Sequence, residues 1–384
     1  MIPYGSFFYF GLLLYMLVAV IVASLMQVKT HRIVLGTTML MILVQYGLAP
    51  YGLASAPLHS IGKVVGFAVA QWGVAALFLR SRARGPNRWT FYAAVAFALT
   101  PLAIEKFTGS DARHLVAFVG ISYTTFRALD AIFGIQDGLI KDLPVGEYMA
   151  FLLFFPAISA GPIDRYRRFR ADYRLERGRE QLLGDLDQAT VRLFRGILYA
   201  FVLGPLVEFY WVTPASQQRG VLGIVSYMYA YSIHLFFDFA GYSAFAIGMG
   251  YVLGVRMPEN FNRPFLAQNI AEFWTRWHIS LSSWLRDHVY GRFVLAAMKG
   301  KWFKDRKLAG YLGSILAFGL MGLWHGAQAR YLCYGLYHAL LIVGHGMMPG
   351  PGASRLPRLS PLAARLVTFN LVCVGFLIFS GRLF

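Results

Sequence analysis

Cysteine is almost missing from this chain. Its 384 residues hold two, Cys333 and Cys373, both in apolar stretches and neither with metal-ligand or redox spacing. This excludes a disulfide framework and a cysteine zinc site and leaves both as packing residues. Acidic residues are scarce as well, 18 against 36 lysines and arginines, for a net charge of +18. Charged residues of both signs make up only 14% of the chain. The longest polar stretch, residues 161–190, is about thirty residues long, too short for an independent soluble domain. No room is left for a nucleic-acid-binding module. A Walker A pattern is absent, which argues against direct use of ATP. The run "GYSAF" at Gly241–Phe245 lacks the second glycine of a nucleophile elbow, so no serine hydrolase signature stands either.

What the chain has is apolar surface: 57% of its residues are hydrophobic and the mean hydropathy is +0.53. Windows with few or no charges recur from residues 7–28 to 362–380, several near the roughly 20 residues that cross a hydrocarbon core. Others are short or interrupted, and 221–254 is nearly continuous. The expected fold is therefore all-α and polytopic, with about 10–12 membrane-embedded helices, some short or broken. "MIPYGSFFYF" carries neither a basic n-region nor a cleavage site and is read as the start of a retained helix. The basic segments Lys29–Arg32 and Arg80–Arg88, set on the cytoplasmic side, put the N-terminus outside.

Counting on from there strands the basic run Arg165–Arg179 on the outer side, so an intervening segment must enter and leave on one side. The segment Leu115–Ile135 is the candidate, because Thr124, Thr125, Arg127 and Asp130 suit a protein-buried or cavity-lining helix better than a lipid-facing one. A hollow follows from that reading. No internal repeat supports a transporter with two related halves.

Two histidines follow tryptophans, in "FWTRWHISLSSW" at Phe273–Trp284 and in "GLWHG" at Gly322–Gly326. On a helical wheel Trp274, Trp277, His278, Leu281, Trp284, Leu285 and His288 share one face, which predicts a continuous amphipathic helix. His278 on that face is either a core histidine with satisfied nitrogens or a functional one. His325 lies at membrane depth, which by default marks function, and Gly319, Gly322 and Gly326 beside it leave room for a substrate chain. Trp274, Trp277 and Ser280 on the first segment, with Trp324 and Gly322 on the second, are the candidates for lining a substrate path. No metal is expected: His278 and His288 would stand roughly 15 Å apart along a helix, His338 and His345 roughly 10 Å. Haem ligation through His234, His338 or His345 has no attachment motif behind it. Histidine as a general base for acyl transfer to a hydroxyl is the chemistry that remains.

"GPIDRYRRF" at Gly161–Phe169, "DFAGYSAFAIG" at Asp238–Gly248, "NFNRPFLAQNIAEFWTRWHISLSSWLRD" at Asn260–Asp287 and "GLWHG" followed by "YGLYHAL" resemble, in order and spacing, the membrane-bound O-acyltransferase family. Within it the likeness is nearest to the branch that D-alanylates teichoic acids, and it takes in "PYGSFFYF", "GISYTTFRALD" and "FLIFSG". The resemblance implies one integral-membrane acyltransferase domain over 1–384, with peripheral helices in 1–110, a funnel-shaped core in 111–348 and a C-terminal loop and helix in 349–384. It implies that His325 is the essential intramembrane histidine and His278 its partner.

A donor is implied as well: a D-alanyl thioester on the phosphopantetheine arm of an acidic carrier protein, with no cofactor bound to the chain itself. The acceptor would be a hydroxyl of a teichoic-acid-like polymer, in the lipid setting of a bacterial cell membrane, with a small membrane partner protein as a further expected associate. In that light Val294, Met298 and Trp302, at i, i+4 and i+8 and rimmed by Arg292, Lys299, Lys301 and Lys304, become a carrier dock. The plainer alternative is an ordinary positive-inside loop. Two rival functions stay open, an O-acetyltransferase of an extracytoplasmic polysaccharide and a lipid or sugar transporter without chemistry.

Overall fold

The computed structural model describes residues 7–26, 28–47, 57–108, 116–348 and 359–384. Residues 3–6 of "PYGSFFYF", 48–53 of the second apolar window, Leu115 and Arg355 lie outside the described residues. Those described are helical, without a β-strand. Among the described residues six helices are long and apolar enough to cross a membrane: Ser60–Arg84, Arg88–Phe107, Arg179–Gln217, Gly220–Leu253, Arg306–His325 and Pro361–Ser380. Shorter apolar helices, Tyr15–Leu25 and Val145–Ala157, match the expectation of incomplete ones. The chain forms two compact units, one of Met1–Gly196 with Tyr242–Pro258, the other of Ile197–Gly241 with Glu259–Phe384.

The first unit holds α1 (Phe7–Leu25), α2 (Thr30–Gly47), α3 (Pro57–Arg84), α4 (Arg88–Phe107), α5 (Ile121–Gln136), α6 (Val145–Leu152) and α7 (Tyr166–Arg174). α5 is the polar helix suspected from the sequence. It starts at Ile121, after Gly120 at φ +98°, where a Cβ would run into the Ile158 carbonyl. Its polar residues are buried in protein: Thr124 and Thr125 cap carbonyls of their own helix, and Arg127 Nη1 donates to the Phe151 and Leu152 carbonyls at 3.1 and 3.2 Å. With 16 residues it is not among the six crossing helices.

Asp130 receives Arg165 at 3.0 Å and the Tyr166 N–H at 2.8 Å, while Asp164 receives the Arg165 N–H at 2.7 Å and the Arg168 side chain. The basic run is thereby folded onto the unit as α7, with Tyr166, Phe169 and Tyr173, at spacings of three and four, turned inward. Arg170 and Arg174 meet Asp142 and Glu147. The guanidinium of Arg170 holds the Asp142 carboxyl below the usual carboxylate range.

The second unit is built from α8 (Arg179–Gln217) and α9 (Gly220–Leu253), each contributing the part that falls in this unit, then α10 (Ile270–Trp274), α11 (Ile279–Leu285), α12 (Gly291–Lys299), α13 (Arg306–His325), α14 (Ala329–Met347) and α15 (Pro361–Ser380). α13 and α14 pack backbone to backbone, since a Cβ on Gly335 would strike the Phe318 carbonyl and one on Gly322 the Tyr331 carbonyl. α14 is tied to α15 by Tyr337 Oη donating to the Leu371 carbonyl at 2.9 Å and Arg330 Nη1 donating to the Ser380 carbonyl at 2.9 Å.

Candidate active site

The segment carrying the first Trp-His pair is not one helix. α10 stops at Trp274, and Phe261 and Trp277 pair as an isolated antiparallel bridge, with the Asn262 N–H on the Arg276 carbonyl and the Ile279 N–H on the Asn260 carbonyl, both at 3.0 Å. A bridge partner satisfies backbone groups that a continuous helix would have used. His278 takes the left-handed conformation, φ +43°, and α11 starts only after it. Such backbone costs a non-glycine residue about 1–3 kcal/mol and is held by its surroundings.

Here the hold is Asn260, fully buried, whose Oδ1 accepts the Ser280 hydroxyl at 2.6 Å. Ser280, expected on a substrate path, is placed by this hydrogen bond in the clamp on His278. At the other end of the clamp, Asn269 Oδ1 accepts the Glu272 N–H at 2.8 Å and Glu272 Oε2 accepts the Gln268 N–H at 2.7 Å, a reciprocal cap that starts α10.

The break turns His278 toward His325. Both histidines, 47 positions apart in sequence, line one cavity of about 60 Å³ together with Leu235, Phe239, Trp274, Trp277, Leu281, Met321, Tyr334, Phe376 and Phe379. His278 is 5% exposed and lies edge to face with Phe239 at 4.6 Å. His325 ends α13, its ring 4.9 Å from Phe379 and 4.4 Å from Trp324.

Trp274 and Trp277 are buried and line the chamber, with Trp277 stacked on Phe273 at 5.7 Å. Trp324 packs against His325 and lies 6.3 Å from His278 without belonging to the cavity wall. At Gly322 the missing side chain lets α14 come close, since a Cβ there would strike the Tyr331 carbonyl. Phe239, Met321, Tyr334, Phe376 and Phe379 were not singled out from the sequence. Most lie within the quoted motifs, but nothing in a linear pattern separates a chamber aromatic from a packing one.

A second cavity of about 340 Å³ adjoins it, sharing Trp274 and Met321 and lined further by Thr275, Ser282, Ser283, Tyr290, Ser314 and Arg286. Several buried nitrogens lie around the histidine chamber. Both ring nitrogens of His278, both of His338 and Nε1 of Trp274 have no hydrogen-bond partner among the described residues. Each such group costs about 1–3 kcal/mol if it stays unpaired.

The proposed dock also changes shape. α12 ends at Lys299, and Lys301 at φ +51° turns the chain, so Trp302 is not on the helical strip. Val294 faces inward, toward the space beside Gly313. The exposed apolar set is instead Leu295, Met298 and Trp302, at 59%, 47% and 56% exposure. Arg292 is half-buried, while Lys299, Lys301 and Lys304 are exposed around that set.

The model of the MBOAT, membrane-bound O-acyltransferase family, matches residues 113–374. The teichoic acid D-alanyltransferase of Bacillus subtilis (strain 168) is 38% identical over 100% of this chain and 99% of its own length. The enzyme of that name from Lacticaseibacillus rhamnosus is 42% identical over 76% of each. The probable alginate O-acetylase AlgI of Pseudomonas aeruginosa (strain PAO1) is 32% identical over 70% of this chain and 50% of its own length. Six crossing helices, a buried histidine chamber and a family match over most of the chain agree: this is a multi-pass membrane acyltransferase, and it belongs to the membrane-bound O-acyltransferase family.

Proposed function

We propose that this chain moves a D-alanyl group from a thioester on the phosphopantetheine arm of an acidic carrier protein to a hydroxyl of teichoic acid at a bacterial cell membrane. The observation that carries the chemistry is the chamber shared by His278 and His325. The acyl group and acceptor rest on end-to-end likeness to a teichoic acid D-alanyltransferase, against a likeness to the alginate O-acetylase that spans half of that protein.

His325 takes the proton of the acceptor hydroxyl as its oxygen attacks the thioester carbonyl. The tetrahedral intermediate collapses with cleavage of the carbon–sulfur bond, and the thiolate leaves with the arm and regains a proton from the imidazolium. His278, fixed by the Asn260 clamp, orients the reacting groups. The 340 Å³ cavity, lined by hydroxyls and by Arg286, suits an arm made of amides and a phosphate. The exposed Leu295, Met298 and Trp302 among lysines suit an acidic carrier. The charge bias of the early loops supports an outer N-terminus, and a small membrane partner protein belongs to the same reading.

The test is transfer of labelled D-alanine from loaded carrier to membranes holding the purified protein. Wild type should transfer and His325→Ala should not, while carrier binding persists. Acetyl-carrier turned over in place of D-alanyl-carrier would select the O-acetyltransferase reading, and substrate movement surviving His325→Ala would select a transporter.

A further inference from the structure

Two cavities of the second unit have two lining residues in common, Trp274 and Met321. Both are buried, at 7% and 2% exposure. The larger cavity reaches the surface at Arg286, whose side chain is 66% exposed. The smaller one holds the histidines. His325 lines the smaller cavity and not the larger one, and the two shared side chains lie between Arg286 and that histidine in the lining of both.

We infer that Trp274, seated against Met321, is a gate between the donor cavity and the histidine chamber, and that His338 is the positioning residue that holds the gate shut. Three observations meet here. Trp274 is the last residue of a five-residue helix and is followed by the turn at Thr275, so its backbone lies at a break and not within a rigid rod. Its Nε1–H is buried without a partner, a state relieved once the indole swings toward a polar arm.

Behind it, the edge of the indole meets the His338 ring at 5.0 Å and 89° and the Phe318 ring at 5.0 Å. His338 is itself 0% exposed, and Gly375 is the residue that makes space for it, since a Cβ there would strike Nε2. A shut gate keeps water from a thioester until the acceptor is present. It also limits entry to acyl groups that a chamber of about 60 Å³ can take. The reading of the larger cavity as the donor side rests on the function proposed above.

The experiment does not need turnover. In full-length protein with Cys333→Ser and Cys373→Ala, a cysteine is placed in the chamber wall by Leu281→Cys and its labelling by 2-aminoethyl methanethiosulfonate is timed. Trp274→Ala is expected to speed labelling by about tenfold or more, because the open state becomes the populated one, whereas Trp274→Phe stays near the parent rate. Met321→Ala gives the same acceleration and serves where Trp274→Ala does not fold. His338→Ala accelerates labelling too, and His338→Phe, which keeps a ring behind the indole, restores the slow rate.

Equal rates in the parent, Trp274→Ala and Met321→Ala would overturn the gate. An unchanged rate in His338→Ala would overturn the part given to His338. Absence of D-alanyl transfer from loaded carrier, in a protein whose labelling shows the gate, would sink the donor reading alone.

Discussion

The two units differ in which ionisable groups they bury and in how those groups are met. In the first, Asp130, Glu147, Asp164 and Asp185 are buried, and each carboxylate meets a guanidinium, from Arg165, Arg174, Arg168 and Arg256 respectively. In the second, His278, His338 and Trp274 are buried with ring nitrogens that meet nothing among the described residues. Paired buried charges fix a conformation, and removing one partner strands the other. A buried imidazole without a partner costs stability instead of adding to it, so replacing one should disturb the fold less than breaking a buried ion pair does. Mutations in the first unit should therefore act on folding, and mutations in the chamber on rate.

The largest effect expected is on rate. Replacing His278 by Asn, a residue that accepts the left-handed backbone at little cost, removes the imidazole but leaves the clamp. D-alanyl transfer should fall by about 10²–10⁴-fold, the range of a lost acid–base or orienting group. The thermal midpoint of the detergent-solubilised protein should move less than in the next variant. A large loss of stability with an unchanged rate would reverse the roles given to the two units.

Next comes Asp164→Ala. It leaves Arg168 with only Asp172, at 3.1 Å, and removes the acceptor of the Arg165 N–H. A loss of about 3 kcal/mol is expected, the lower end for a broken buried pair because Arg168 is 32% exposed. The protein that does fold should transfer at the parent rate. A folded, fully stable and inactive variant would show that the carboxylates of this unit are not there for structure.

How far these features could be read from the chain depends on whether their partners are near in sequence. Asp164 and Arg168, four apart within "DRYRR", are a helical pair visible in the spacing. Asp130 and Arg165, 35 positions apart, are not, although Asp130 stands out in an apolar segment and Arg165 opens a basic run. His278 and His325 stood out because an imidazole in an apolar run has to be accounted for. The wheel that placed His278 with Trp274 and Trp277 assumed an unbroken helix, and the bridge to Phe261 that breaks it comes from a segment with no periodic signal. The same assumption put Trp302 on a helix that ends at Lys299 and missed Leu295. Chamber aromatics such as Phe379 look like any other apolar residue of a membrane helix until the fold brings them around the histidines.

A smaller effect is expected outside the chamber, on partner affinity. Trp302→Ala should weaken binding of the acidic carrier by about 2 kcal/mol, as an exposed aromatic anchor does, with transfer restored at saturating carrier. Lys301→Glu with Lys304→Glu should weaken binding in a salt-dependent manner. Carrier affinity that ignores both changes would return this surface to an ordinary positive-inside loop.

The smallest effect is a test of a paired carboxylate at the start of α10, the helix that ends at Trp274. Glu272 accepts the Gln268 N–H and pairs with Arg276 at 2.7 Å, and the donated N–H first, then Arg276, hold its carboxyl below the usual range. A lowered folded pKa stabilises above the unfolded value of about 4.3 and loses that contribution as pH falls through the folded value. Glu272→Gln keeps an acceptor for the cap and removes only the charge, so the cost at pH 7 should be about 0.5 kcal/mol for so exposed a pair. The gap in thermal midpoint between parent and variant should be full at pH 7, begin to shrink below about pH 4 and close in stronger acid. A gap that is constant across that range would mean that the carboxylate acts by shape alone, and that α10 and its terminal Trp274 are held by the Asn269 cap without help from charge.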